Sequence, residues 1–95
     1  MTSEEMVQLL QRGVDHAPLN GSLNFDSGTD GVIILEEQSV STVDRDADCT
    51  IKITAPNLAK LIMGKLNPMT GVVTGKLKVS GDARIALKLG ELLKS

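Results

Sequence analysis

The spacing of apolar residues changes period several times along the chain, and each change marks an element. Met6, Leu9, Leu10 and Val14 recur at helical spacing, leaving Gln8, Gln11 and Arg12 outside their arc. Thr2 and Glu5 stand at capping-box spacing ahead of them. The pattern predicts a helix from about Ser3 to Val14, ended near His16-Ala17-Pro18. Period-two alternation comes next. Leu23 and Phe25 predict a first strand, and the turn-rich run Asp26 to Gly31 closes it. Val32 to Leu35 is apolar on both faces and predicts a central strand covered on each side. Val40 to Val43 predicts a weaker strand near a sheet edge.

The clearest alternation runs from Ala47 to Thr54: Ala47, Cys49, Ile51 and Ile53 point one way, Asp48, Thr50, Lys52 and Thr54 the other. Thr54 suits a helix N-cap with Pro56 in the first turn, ahead of the stripe Leu58, Leu61, Ile62 and Leu66. That helix is expected to end at Gly64 or Lys65. Pro68 to Thr74 predicts a short helical turn, and Lys76 to Ser80 a strand with Leu77 and Val79 inward. Asp82 then caps a helix with the stripe Ile85, Ala86, Leu89, Leu92 and Leu93. Leu87 falls on the opposite side, among Arg84, Lys88 and Glu91, where an apolar residue suits a membrane or a cavity mouth. Strands in succession with segregated helices predict an α+β domain, its helices laid on one sheet face.

Composition narrows the function more by what it excludes. The chain has 95 residues, enough for one small domain that buries somewhat over ~60 % of its unfolded surface. Phe25 is the sole aromatic residue, and the net charge is −2. Base stacking and a phosphate-backbone partner are therefore disfavoured, so no nucleic acid is expected. A single cysteine cannot form an internal disulfide. The N-terminus lacks the basic start and long apolar run of a secretory signal, and no stretch reaches the ~20 apolar residues of a membrane span. A cytoplasmic location is expected.

Covalent chemistry finds little support. His16 is the one histidine and falls where the first helix ends, while Cys49 points inward as a buried thiol. Asp44, Asp46 and Asp48 imitate a calcium loop, but Cys49 stands where that loop needs Gly and Ala55 where it needs Glu. Gly71 and Gly75 are separated by three residues and Leu77 follows Lys76, so a phosphate loop fails on both counts. No catalytic residue, metal or cofactor is expected. What remains is an oily stretch, Gly64 to Asp82, punctuated by glycines.

On four blocks the chain resembles the sterol carrier protein 2 family: ADCTIKIT (Ala47 to Thr54), GKLNP (Gly64 to Pro68), GKLKVSGD (Gly75 to Asp82) and ALKL (Ala86 to Leu89). They cover about half the chain; the first half agrees in layout alone. The resemblance implies a five-stranded, mostly antiparallel sheet with helices on one face, enclosing a hydrophobic tunnel. It implies non-catalytic binding or transfer of a fatty acid, fatty acyl-CoA, phospholipid or sterol. Carried over by position, the tunnel wall falls on Leu58, Ile62, Leu66, Met69, Val72, Val73, Leu77, Ile85 and Leu89. The chain departs where the family often has Ala-Phe-Phe: here Gly71-Val72-Val73 is expected to widen or reshape the tunnel. It also ends soon after Leu93 without a peroxisomal address, which points to a compact stand-alone version.

Two readings are open. In the first, the protein is a lipid carrier, with transient membrane contact and a lipid-metabolising enzyme as candidate partners. In the second, the cavity is reduced and the domain serves as a non-enzymatic accessory or a homodimerisation module. Domains of this kind occur attached to alkylsulfatases.

Overall fold

In the computed structural model, which describes residues 2–93, a helical layer covers one face of a mixed sheet. Helix α1 spans Ser3–His16 and opens with a reciprocal capping box: Thr2 N–H donates to Glu5 Oε1 and Glu5 N–H to Thr2 Oγ1, both at 3.1 Å. It runs one half-turn beyond the Val14 expected from the stripe, and Ala17 ends it before Pro18. Met6, Leu10, Gly13 and Val14 form its buried face. Strands β1 (Ser22–Asp26), β2 (Val32–Glu36) and β3 (Ser39–Ser41) form a meander, with a single 3₁₀ turn over Gly28–Asp30 in the predicted turn. Strand β4 (Cys49–Lys52) comes next, then α2 (Ala55–Ile62), α3 (Pro68–Val73), β5 (Lys78–Gly81), α4 (Ala83–Leu87) and α5 (Leu89–Leu92).

The strand order is β3-β2-β1-β4-β5. Three of the four pairings are antiparallel; β1 and β4 run parallel, because the chain crosses from the β3 edge before β4 enters beside β1. β1 is therefore the central strand, with β2 beside it, and β3 is an edge as expected. Register aligns Leu23 with Leu35 and Cys49, and Phe25 with Ile33 and Ile51. These residues share one face and join Met6, Leu10, Leu58, Leu61, Leu89 and Leu92 in one buried cluster. The opposite face carries Asn24, Ile34 and Thr50 in register. The 42–48 connection is tied to the sheet by two links. Arg45 pairs with Glu36 at 2.6 Å, and Asp48 exchanges hydrogen bonds with Ser22 at 2.9 and 3.0 Å. Asp48 thus serves the backbone.

The C-terminal stripe does not form one helix. It breaks at Lys88, whose N–H turns back to Ile85 at 3.1 Å in a tighter, 3₁₀-like step. Gly90 lowers the helical preference of the last turn. The break lets Ile85, Leu89 and Leu92 all reach the core. The sequence sets Leu87 among Arg84, Lys88 and Glu91; the Glu91 side chain lies outside the described residues. Close approach is built in at Gly13: a Cβ there would stand 2.5 Å from Leu92 Cδ2 and 2.8 Å from Leu92 O, so α5 crosses α1 at a distance other residues would block.

Candidate functional site

Five of the nine positions assigned to the tunnel wall come together around one cavity. Met69, Val72 and Val73 enter from α3, Leu77 from the approach to β5, and Leu89 from α5. The cavity measures about 230 Å³ and its other walls are Ile51, Pro68, Val79, Ala83, Ala86 and Leu87. Every side chain in that wall is apolar. Asn67 places α3 by capping it: its Oδ1 accepts from Met69 N–H at 2.8 Å, and Pro68 occupies the first turn. Asp82 caps α4 in the same way, accepting from Arg84 N–H at 3.0 Å.

The other four positions lie elsewhere. Leu58 and Leu66 are buried in the core cluster, as is Ile85. Leu58 also borders a separate cavity of about 310 Å³ with Met6 and Ile33. Ile62 faces a third, of about 230 Å³, with Leu9, Arg12, Leu92 and Leu93. Among the described residues these spaces form separate hollows at the edge of a filled core, in which Phe25, Leu10 and Leu23 are fully buried.

Glycine at position 71 decides how close α3 sits. A Cβ there would fall 2.8 Å from Leu77 Cγ and 2.9 Å from its Cδ1, so α3 rests directly against Leu77. The space saved by the small residue is taken up by the approach of the helix. Val72 and Val73 then face outward at the rim. Val73 is 84 % exposed, Leu87 70 %, Met69 66 % and Val72 47 %, which makes one continuous apolar mouth.

Several wall residues escape a reading along the chain. Ile51 and Val79 meet because β4 and β5 pair in that register. Ala83 and Leu87 join them because α4 packs over β4 and β5. Leu87's position outside the core stripe is the one advance signal, since an apolar residue there has no burial to account for it.

Electrostatics at the site are simple. Arg84 holds the Asp82 carboxyl below its ordinary value through a side-chain hydrogen bond, supported by the Arg84 backbone N–H. Burial pushes the Cys49 thiol above its ordinary value, and the nearby Asp82 charge adds to this. The thiol therefore stays protonated at neutral pH and is a poor nucleophile. His16 is exposed at the end of α1, remote in sequence from the cavity wall.

The comparisons with known proteins agree on one family. Sterol carrier protein 2 of Gallus gallus is 47 % identical over 49 residues, which is 52 % of this chain and 9 % of that protein. The matched segment thus spans about a tenth of the length of that relative. The solution structure of palmitated SCP2L2 from Aedes aegypti superposes with a TM-score of 0.77 at 20 % identity, covering 100 % of this chain and 96 % of that one. The sec-alkylsulfatase Pisa1 from Pseudomonas sp. matches 90 % of this chain with 14 % of its own, at 27 % identity and a TM-score of 0.58. Residues 4–94 match the model of the SCP-2 sterol transfer family, and with the five-stranded fold already described, the chain belongs to that family.

Proposed function

We propose that the protein is a one-domain, non-catalytic lipid carrier that holds an acyl chain in the cavity between α3, β4–β5 and α4. The observation that carries this reading is the wholly apolar wall around about 230 Å³, beside a mouth that leaves Met69, Val72, Val73 and Leu87 in water. Apolar cavities of about 150 Å³ stay dry and accept a benzene-sized guest, so this one suits a chain segment of several methylenes. Each buried methylene contributes about 0.8 kcal/mol, and six would contribute about 5 kcal/mol without a polar contact. A fatty acid, fatty acyl-CoA, phospholipid or sterol larger than the cavity enters when α3 lifts from Leu77. Family membership and the palmitated neighbour support the same class of cargo.

The protein would work in the cytoplasm and meet membranes and lipid-metabolising enzymes transiently. Among the described residues no helix is long and apolar enough to cross a membrane. A second reading, an accessory or homodimerisation module with a reduced cavity, draws on the filled core and the match to part of a sulfatase.

Native mass spectrometry of the purified protein tests the carrier reading: co-purified fatty acid or phospholipid is expected. A fluorescent fatty-acid probe should gain signal at micromolar protein. Val72→Glu, at the half-exposed wall, should abolish that gain, while Val43→Glu on the far connection keeps it. No bound lipid and no probe signal would favour the module, which a monomer–dimer measurement then examines.

A further inference from the structure

The sheet has two edges, and the chain treats them differently. At one edge α1 packs over β3, and Gln11 Nε2 from that helix donates to Gln38 O at 2.6 Å. At the other edge β5 has a single neighbour, β4. Asp82 N–H donates to Asp48 O at 2.8 Å, which fixes the phase of the β4–β5 ladder. In an antiparallel pair, residues exchange bonds at alternate positions. Lys78 and Ser80, in phase with Asp82, therefore turn their N–H and C=O groups toward β4. Val79 and Gly81 turn theirs outward, away from the sheet. Among the described residues no strand pairs with that outer side.

The edges differ in charge as well. Residues 1–48 hold ten acidic and two basic side chains; residues 49–95 hold eight basic and two acidic. The strand order puts β3 on the flank built by the acidic half and β5 on the flank built by the basic half. Side chains alternate along β5: Val79 faces the apolar hollow, while Lys78 and Ser80 face the opposite side of the sheet. On that opposite side Lys76 joins Lys78 and Lys52 around a cleft of about 480 Å³. Lys52 and Lys78 stand directly opposite in register, an arrangement that costs stability unless an anion offsets it. Asp26 is the neighbour of Lys52 on β1 and already accepts the Gly28 N–H at 2.9 Å. Beyond Lys78 the sheet ends, so no further strand supplies a carboxylate. Lys52, Lys76 and Lys78 make no ion pair among the described residues.

We propose that β5 is a docking edge for an extended acidic segment of a partner protein, which adds to the sheet as a strand beside it. The outward N–H and C=O groups of Val79 and Gly81 supply the main-chain bonds, and the side chains supply the choice of partner. Residues of an added strand point alternately to the two faces. One set falls beside Lys76 and Lys78, where carboxylates are favoured by the unpaired lysines. The other set falls beside the half-buried Val79, where apolar side chains fit. The segment that matches this edge thus alternates acidic and apolar residues. Lysines on an edge deter pairing with a strand of like charge. A second copy of β5 would bring its own Lys76 and Lys78 to the seam, so the edge selects against itself and for an acidic partner. The inference is independent of cargo binding, since the lysines lie on the sheet face away from the apolar hollow.

Amide hydrogen exchange by NMR, with a capped Glu-Val repeat peptide as the probe, tests it. The outward Val79 and Gly81 amides should slow about tenfold once roughly nine-tenths of the protein is bound, while Lys78 and Ser80, already bonded to β4, change less. Lys78→Glu should weaken the Glu-Val peptide about fivefold or more and strengthen a Lys-Val repeat peptide, which the parent protein should not bind. This variant should fold, because the new carboxylate stands opposite Lys52. Raising salt from about 50 to about 500 mM should weaken the parent complex, whose charges are exposed. Absence of Glu-Val binding at millimolar peptide overturns the proposal, as does equal affinity of the parent and Lys78→Glu proteins. Equal binding of a peptide with its Glu and Val residues in two separate blocks, without protection of Val79 and Gly81, reduces the effect to general charge attraction and also overturns it. Protection of those amides that grows with protein concentration in the absence of peptide assigns the edge to a second copy, with the same result.

Discussion

The two flanks of the helical layer treat their apolar residues in opposite ways. Over β2 and β3, α1 turns Met6, Leu10 and Val14 into a filled core and leaves a charged, acidic exterior. Beside β4 and β5, the short helices α3 and α4 leave Met69, Val72, Val73 and Leu87 in water around an apolar hollow. A fourteen-residue helix with a full capping box sustains a continuous stripe against the sheet. Helices of six and five residues cannot cover as much, and each depends on its cap and on packing for its position. One flank therefore stabilises the fold, and the other leaves part of its apolar surface open for binding.

Substitutions can break this contrast. The largest effect belongs to the closed flank and centre: Phe25→Ala should cost about 3–5 kcal/mol in denaturant unfolding, because its neighbours cannot collapse around the void. Gly71→Ala should cost about 1–2 kcal/mol, as the new methyl drives α3 off Leu77. The same change should alter fatty-acid probe affinity, which Phe25→Ala with its fold rescued by low temperature should not. Asp82→Ala removes the α4 cap and should destabilise α4, seen as earlier hydrogen exchange at Ile85 and Ala86. Val73→Asp should stay within about 0.5 kcal/mol of the parent in stability while weakening the fatty-acid probe signal at the cavity rim. If Val73→Asp unfolds the protein, the open flank is core after all.

Acid should produce the smallest difference and act on both flanks. Glu5 is held below its ordinary value of 4.5 by hydrogen bonds from Thr2, and Asp82 below 3.8 by Arg84. A carboxyl depressed in the folded state contributes stability above its unfolded pKa and loses it as pH falls through the folded value. Both caps are thus intact at pH 7 and loosen below about pH 4, readable as fraying of α1 and α4 by NMR.

Much of the fold is legible along the chain. The capping box and stripe announce α1, strict alternation announces β4, and Thr54, Asn67 and Asp82 each precede the helix they cap. Those signals are local, carried by residues two to four positions apart. Part of the cavity wall is equally plain: Met69, Val72, Val73, Leu77 and Leu89 are expected there and line one hollow. Leu58, Leu66 and Ile85 are expected with them and do not border this hollow, because a stripe states that a side chain is inward without stating which inward space it meets.

Element types, caps, alternation and the unequal division of charge between the halves follow from the order of residues, since each depends on neighbours in sequence or on composition. The parallel β1–β4 pairing, the break at Lys88, the seating of α3 on Leu77 and the meeting of Ile51 with Val79 depend on long-range contacts. Their free energy appears when distant segments pack, so tertiary structure decided them. It also turned a charge gradient along the chain into two flanks of one sheet, with the open apolar mouth on the flank built by the basic half.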